Sequence, residues 1–214
     1  LWTSLQQKAR LQLVQTKADY PQALKTCQEC VRIAVHNSRN DWLAASQLLL
    51  GQSFEGLNLK VEALKQYLEA YDLAIALKDT TLQIRCCASV SDFYLRNTLY
   101  EQSVEYKLKQ ENLVRMSSPE DSTVLMWILF DKTYRSSKAY PGASPEVEQL
   151  MSIVGFANRT GNKRLKTYAF ALARSILIDS DQIEGLEDIY QRKYPEELVL
   201  LCQNQPDIYY RVKA

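Results

Sequence analysis

Apolar residues recur along this chain at helical spacing, in stretches separated by short polar breaks. In the clearest stretch, Leu43 to Leu57, apolar side chains follow one another seven, four and three positions apart, and Asn40 and Asp41 before it are candidate N-caps. After a break at Asn58, the stretch from Val61 to Leu77 has the same helical spacing. The pattern predicts two consecutive helices.

The same residue types return every forty residues. One column is small, one is bulky and apolar or aromatic, two others are mixed, and Trp2 and Trp42 keep the same step. In that order the columns are Ala23, Ala63, Ser103 and Ala143; Val14, Phe54, Tyr94 and Tyr134; Gln7, Gln47, Cys87 and Trp127; and Tyr20, Lys60, Tyr100 and Tyr140. Because one helix pair cannot bury its apolar stripe alone, neighbouring pairs must stack. The sequence predicts an all-α solenoid of about 10–12 helices, with the small column at the helix crossing and the aromatic column between pairs.

The domain organisation follows from the repeat. We expect one solenoid domain over residues 1–214, and a fragment of a longer protein because the chain opens with Leu1 rather than Met. The predicted repeats are about 4–40, 41–80, 81–120 and 121–160, a degenerate repeat at 161–194 and capping helices at 195–214. In the degenerate repeat, Arg164 to Leu177 predicts a first helix and Gln182 to Lys193 its partner. Residues 195–214 either cap the solenoid or bind a partner, and both alternatives stay open.

Composition agrees with a helical, globular chain. Six glycines and six prolines among 214 residues argue against a many-stranded β fold, and 46% apolar residues argue against disorder. The 26 basic and 25 acidic residues give a net charge of +1, so nothing in the total favours nucleic acid. The longest uncharged apolar stretch, Val124 to Phe130, is too short for a membrane span. The five cysteines are an odd number and two of them, Cys86 and Cys87, are adjacent, a pattern that seldom forms a disulfide framework. They therefore favour a reducing intracellular compartment, cytoplasm or nucleus.

The second repeat resembles a known family. Its residues match the tetratricopeptide pattern at Leu50, Gly51, Phe54, Ala63, Tyr67 and Ala70. The longer forty-residue step is similar to the repeats of rapsyn, the spindle-orientation adaptors and kinesin light chains. The third repeat departs from the pattern with Ser91 and Lys107, and the fourth has an insertion at Pro141 to Pro145. The resemblance implies a right-handed solenoid whose first helices line a groove for a protein partner.

Residues with catalytic or metal-binding chemistry are scarce. His36 is the one histidine, at the end of a predicted helix, and we expect it to be a partly exposed structural residue. Cys27 and Cys30 are spaced as half a zinc site or a redox pair, but they fall on packing positions of the second helix of their repeat. The same packing interpretation fits Cys86 and Cys87. Packing is the favoured interpretation, with metal or redox chemistry as the alternative. We predict no catalytic, cofactor or metal site.

A basic cluster lies between the fourth repeat and the degenerate one. Arg159, Lys163, Arg164 and Lys166 are four cations within eight residues. The start of a helix is electrostatically a poor place for cations, because the macrodipole is positive there. The cluster is interpreted either as a solvated helix start or as a contact with an acidic partner.

The resemblance implies which residues face the groove. Among the residues expected to face the groove, Gln12, Gln52, Asp92 and Lys132 form a polar column that follows the forty-residue period. Helix packing does not require polar side chains at these positions. The predicted partner-binding residues are Lys8, Gln12, Gln52, Glu55, Arg85, Asp92, Arg96, Lys132 and Arg135. Leu49 and Ser89 stand where the family's chaperone-tail receptors carry Asn and Arg, so that ligand is not expected.

These observations predict a non-enzymatic scaffold or adaptor that binds a partner peptide or helix in its groove. Two alternatives stay open. The chain is either a structural subunit of a large helical-repeat assembly, contacting partners through its convex or C-terminal surface, or a regulatory domain attached to an enzyme encoded elsewhere in the parent chain. Neither nucleic-acid binding nor membrane insertion is expected.

Overall fold

The computed structural model describes residues 1–14, 18–117, 122–140 and 144–180, together with Gln182, Gly185 and Ile189. Within these residues the regular secondary structure is helical and no strand occurs. The described part contains nine long helices: α1 (Trp2–Val14), α2 (Tyr20–His36), α3 (Asn40–Gly56), α4 (Lys60–Ala76), α5 (Thr80–Arg96), α6 (Tyr100–Ser117), α7 (Ser122–Ala139), α8 (Ser144–Arg159) and α9 (Lys163–Asp179). None of these nine helices is both long and apolar enough to cross a membrane. The all-α prediction is confirmed.

The helices keep the predicted forty-residue period. α2, α4 and α6 begin at Tyr20, Lys60 and Tyr100, and α3 and α5 begin at Asn40 and Thr80. Each helix packs on the next one along the chain from α1 to α6, and α1 also contacts α3, as α3 contacts α5. Helices α1 to α6 therefore form a solenoid of consecutively packed pairs, as the sequence predicts.

The predicted helix bounds are correct to within a few residues, but the N-cap prediction for α3 is wrong. Asn40 and Asp41 lie inside the first turn of α3, and Arg39 is the N-cap residue. Arg39 makes no capping bond and instead donates from Nε and Nη2 to the carboxylate of Asp41, at 2.8 and 2.6 Å. The helix starts earlier than the apolar pattern suggests because the preceding turn is very short.

That short turn is repeated, and nothing in the sequence pattern revealed it. One residue in each turn has a positive φ, between 51° and 68°, in the left-handed region. The N–H of the next residue donates to the carbonyl five positions earlier, as from Leu59 to Phe54 at 2.9 Å, which is the Schellman arrangement for ending a helix. The left-handed residues are Ser38, Asn58, Lys78, Thr98 and Gly161. The first four are spaced by twenty residues, so every helix from α2 to α5 ends in the same way.

The two helices of a pair run antiparallel, and equivalent residues of neighbouring pairs meet. Gln47 of α3 donates to Glu69 of α4 at 2.9 Å, whereas Gly51, one turn further along α3, lies against the earlier Tyr67. Trp2 and Trp42, forty positions apart, stack with ring centroids 4.8 Å apart and planes 6° from parallel. Each layer of the solenoid therefore corresponds to forty residues of sequence.

The chain divides into two compact units, Leu1–Leu125 and Met126–Ala214, which we call unit 1 and unit 2. The boundary falls within α7. A single solenoid domain over residues 1–214 therefore stays a prediction.

The small column lies at the helix crossings of unit 1, as predicted. Ala23, Ala63 and Ser103 are each 0% exposed. At the crossing of α5 and α6, the hydroxyls of Ser91 and Ser103 each donate to the other residue's carbonyl at 2.7 Å, so the two backbones approach closely. Ala143, the fourth member of the column, lies outside the described residues.

The aromatic column is only partly internal. Phe54 and Tyr94 are half-buried and pack against the core of unit 1. Val14 is 82% exposed because α1 ends at that residue, and Tyr134 of unit 2 is 36% exposed. The prediction that this column fills the space between pairs is therefore wrong at Val14 and Tyr134.

In unit 2 the period is no longer kept. α7 begins at Ser122 and α9 at Lys163, instead of at positions 120 and 160. α8 packs on α9, and Thr133 of α7 donates to Gln149 of α8 at 2.8 Å. The core contains Leu150, Ile153, Val154, Leu165 and Ala169, all at most 1% exposed.

The predicted first helix of the degenerate repeat is confirmed. The predicted helix from Arg164 to Leu177 corresponds to α9. Of the predicted partner helix, Gln182 to Lys193, the structure describes only Gln182, Gly185 and Ile189. The predicted capping helices at 195–214 lie outside the described residues. Of the predicted insertion at Pro141 to Pro145, residues 141–143 also lie outside them, and Ser144 is the first residue of α8.

Candidate partner-binding surface

The exposed surface of α1, α3 and α5 carries the predicted partner-binding residues of unit 1, and we call it the first-helix face. Towards the C-terminal ends of these helices it forms an open depression of about 460 Å³. The depression is lined by Leu13, Val14, Tyr20, Gln52, Glu55, Gly56 and Arg96. Three of the predicted residues, Gln52, Glu55 and Arg96, are thus brought together from two neighbouring pairs.

An ion pair between two repeats forms one side of this depression. Arg96 of α5 donates from Nε and Nη2 to Oε1 and Oε2 of Glu55 on α3, at 2.6 and 2.9 Å. The hydroxyl of Tyr67 on α4 also donates to Oε2 of Glu55, at 2.9 Å. The Glu55 side chain is 18% exposed and the Arg96 side chain 54%. The carboxylate is therefore covered while the guanidinium faces solvent.

The Arg96 guanidinium and the Tyr67 phenol keep their protons near neutral pH. The hydrogen bond from Arg96 to Glu55 raises the pKa of the guanidinium above its already high value. Burial, with a smaller effect of the Glu55 carboxylate, raises the pKa of the Tyr67 phenol well above its usual range. Within the described residues, Nη1 of Arg96 has no hydrogen-bond partner. It can donate to a carbonyl or carboxylate of a ligand.

Apolar side chains form the opposite rim. Val14 is 82% exposed and Leu13 is half-buried, both at the end of α1. The ring of Tyr20, the first residue of α2, lies so close over Gly56 that a Cβ there would overlap it. The absence of a side chain at Gly56 allows Tyr20 to cover the end of α3 and to complete the rim.

The other predicted residues of unit 1 lie elsewhere on the first-helix face. Lys8 and Arg85 are exposed, and Asp92 is half-buried. Gln12 is directed towards α2, where its Oε1 accepts a hydrogen bond from the hydroxyl of Thr26 at 3.0 Å. Gln12 therefore holds its own helix pair together, contrary to the prediction that packing does not need its polarity.

In unit 2, the prediction for Arg135 is wrong. Arg135 is 2% exposed, its Nη1 lies 3.4 Å from the carboxylate of Asp131, and the same atom donates to the Asp131 carbonyl at 3.1 Å. Lys132, which is half-buried, belongs to the same helix. Because α7 begins two residues later than the period requires, each position is rotated by about 200° around the helix axis relative to the prediction. The rotation turns Arg135 inward.

The cysteines occupy packing positions. Cys27 and Cys30 are 0% exposed, and Cys27 Sγ lies 3.6 Å from the hydroxyl of Ser53. Burial raises the pKa of both thiols to about 11 and that of Cys86 to about 12, so little thiolate forms at neutral pH. No group of three or more potential metal ligands occurs among the described residues. His36 is exposed at the end of α2, where the sequence predicts it.

Sequence reasoning missed four of the seven residues that line the depression, namely Leu13, Val14, Tyr20 and Gly56. The bulky column predicts that Val14 packs between pairs, because the column does not show that α1 ends there. Tyr20 belongs to a column that predicts no role for it, although its place before a predicted helix could have indicated that it lies at a helix end. The hydroxyl of Tyr67 was also missed, since the family pattern requires only an aromatic ring at that position.

Comparison of the chain with protein-family models and with curated proteins gives no match.

Proposed function

We propose that this chain is a tetratricopeptide-like scaffold or adaptor without catalytic activity, and that it binds a protein partner, a peptide or a helix, on the first-helix face of unit 1. The observation that supports this most strongly is the depression itself. It combines an exposed guanidinium, held by the covered Glu55 carboxylate, with the exposed apolar side chain of Val14. Arginine and tyrosine, which are both present here as Arg96 and Tyr20, are enriched among the residues that dominate binding energy at protein interfaces.

Preorganisation is the second argument for binding at this place. The two hydrogen bonds to Glu55 already fix the guanidinium of Arg96 in one orientation. A partner that accepts a hydrogen bond from Arg96 therefore pays little for ordering that side chain. The groups that line the depression, an ion pair, an amide and apolar side chains, are recognition groups rather than a nucleophile with its base.

The compartment is part of the proposal. Cys27, Cys30, Cys86 and Cys87 are buried and not in disulfides. Since free thiols persist in a reducing compartment, we propose the cytoplasm or the nucleus.

The proposed function is tested by quantitative affinity capture from cell extract, followed by titration of the captured protein with purified chain. The test variants are Val14→Lys and Gln52→Ala, both at exposed positions of the depression. Val61→Lys is the matched control, because Val61 on α4 is 79% exposed, against 82% for Val14. We expect both test variants to lose a protein that the control retains, by about tenfold or more in affinity. Unchanged capture by both, with loss on deleting residues 195–214, would replace the proposal by the C-terminal-surface alternative.

A further inference from the structure

The late start of α7 brings a different set of side chains to the corresponding face of unit 2. Ser122 lies forty-two positions after Thr80, the first residue of α5. Counted from the two helix starts, the exposed or half-buried face of α5 formed by Arg85, Ala88, Asp92 and Arg96 corresponds on α7 to Trp127, Phe130, Tyr134 and Lys138. These positions are three or four residues apart, so they form one stripe along α7. In unit 2 this stripe is aromatic and ends in a cation.

The stripe continues onto α9 through contacts between rings. Phe130 and Tyr168 stack with centroids 6.3 Å apart and planes 25° from parallel, and Trp127 meets both rings edge to face at 6.0 and 6.1 Å. The guanidinium carbon of Arg164 lies 5.8 Å from the centroid of Trp127 and 5.5 Å from that of Tyr168. The packed rings therefore support a cation on their outer side.

This face is exposed and positively charged. Tyr134 is 36% exposed and Tyr168 45%. The Nζ of Lys138 lies 5.9 Å from the centroid of Tyr134, so a second cation lies over the other end of the stripe. Arg164, Lys138, Arg159 and Lys163 are all exposed, and within the described part of the chain none of the four forms an ion pair. Of the described acidic residues of unit 2, Asp131 is paired with Arg135 and Asp179 lies at the far end of α9. Glu146 and Glu148 lie on α8, where Glu146 accepts a hydrogen bond from Ser136.

We propose that the aromatic–cationic face of unit 2, formed by Trp127, Phe130, Tyr134, Lys138, Arg164 and Tyr168, docks an acidic protein segment. Carboxylates of the segment pair with Arg164 and Lys138, and an apolar side chain packs between them against the exposed ring of Tyr134. The occupant is acidic because, among the residues that the structure describes, no carboxylate pairs with these exposed cations, and a segment of opposite charge complements them.

A protein segment fits this face better than a single-stranded nucleic acid. Bases bind to aromatic side chains by stacking on free ring faces. Here the faces of Phe130 and Tyr168 lie against each other, and Arg164 lies over Trp127 and Tyr168. The net charge of +1 also gives little support for binding driven by a phosphate backbone.

The inference uses residues of unit 2 alone and extends the proposed function to a second surface. The experiment is fluorescence titration of the full chain with a labelled peptide pool, in which Asp or Glu fills all positions except a pair of Leu, Phe or Trp. A second pool has Asn and Gln in place of the acids, and oligothymidylate is the nucleic-acid probe. Arg164→Gln removes the charge and keeps an aliphatic stem over Trp127. Arg10→Gln, at an exposed arginine of unit 1, is the matched control.

We expect the acidic pool to bind at least about tenfold more tightly than the neutral pool, and Arg164→Gln to remove about tenfold of that affinity while Arg10→Gln changes nothing. If Arg164→Gln does not fold, the salt dependence of wild-type binding decides, because pairing with exposed cations weakens as salt rises. Equal binding of the two pools, an unaffected Arg164→Gln, or tighter binding of oligothymidylate would each overturn the inference. Loss of acidic-pool binding in Val14→Lys would move the acidic segment to unit 1, which separates this inference from the proposed function.

Discussion

The ring of Tyr67 lies directly against Gly51, so closely that a Cβ on residue 51 would be 2.5 Å from Cε1 of the ring. Tyr67 cannot move aside, because it is 0% exposed, its hydroxyl bonds to Glu55, and its ring meets Phe93 at 6.1 Å. The Leu-Gly signature of the second repeat therefore has a packing reason: the glycine makes room for a tyrosine that reaches the candidate binding surface.

The first prediction concerns Gly51. Gly51→Ala should destabilise the protein by about 1–3 kcal/mol, because the added methyl group overpacks a crossing that has no space. Gly155→Ala is the control, since a Cβ there meets only the flexible end of Arg159 at 3.5 Å. That helical position should gain about 0.5–1 kcal/mol, as glycine is the poorer helix former. Chemical denaturation measures both changes, and equal effects of the two would contradict the packing account.

The second prediction concerns the repeated turn. Thr98 has a φ of 60°, which is strained for a β-branched residue. Thr98→Gly should raise the free energy of unfolding by about 0.5–1 kcal/mol, since relief of the left-handed strain exceeds the entropy cost of glycine. Asn58→Gly, at the equivalent position, should change little because Asn tolerates this conformation. A loss of stability in Thr98→Gly would show that the turn at Thr98 is not left-handed.

The third prediction concerns pH. The folded pKa of about 11 for Cys27 and Cys30 lies above the value of about 9 for an exposed thiol, because both side chains are buried. The two thiols therefore lose their protons at a higher pH in the folded state than in the unfolded state. This contribution is complete below pH 9 and is lost as pH rises towards 11, with a slope of up to about 1.4 kcal/mol per pH unit for each thiol.

The double variant Cys27→Ala, Cys30→Ala should show a shallower loss of stability over that pH range, as measured by denaturation at several pH values. The comparison with wild type isolates the two thiols from other groups that titrate there. Parallel curves would contradict the burial of the thiols, and stoichiometric zinc in the purified protein would favour the metal interpretation.

The repeat could be predicted from the sequence because its columns are packing positions. Ala63 and Ser103 must be small where two helices cross, and Trp2 must meet Trp42 in the next layer. Because these packing requirements recur in successive repeats, the same residue types return every forty residues. The turns could not be predicted, because Ser38, Lys78 and Thr98 are not residues that normally mark a left-handed conformation.

The candidate site was predictable only as far as the period holds. Gln52, Glu55 and Arg96 lie on helices that begin forty residues apart, and the structure brings them to one depression. Counting by forty fails after α6, because α7 begins two residues late and turns Arg135 inward. A repeating column also does not show where a helix ends, so it predicts an interior position for Val14, the last residue of α1.

The central claim is that a protein partner occupies the depression on the first-helix face of unit 1. The most direct measurement is photo-crosslinking from single positions in the full chain, with a photo-reactive phenylalanine in place of Gln52 in one protein and of Val61 in another. Both positions are exposed, but only Gln52 lines the depression. We predict that the captured partner crosslinks from position 52 and not from position 61. Crosslinking from position 61, with none from position 52, would contradict the claim.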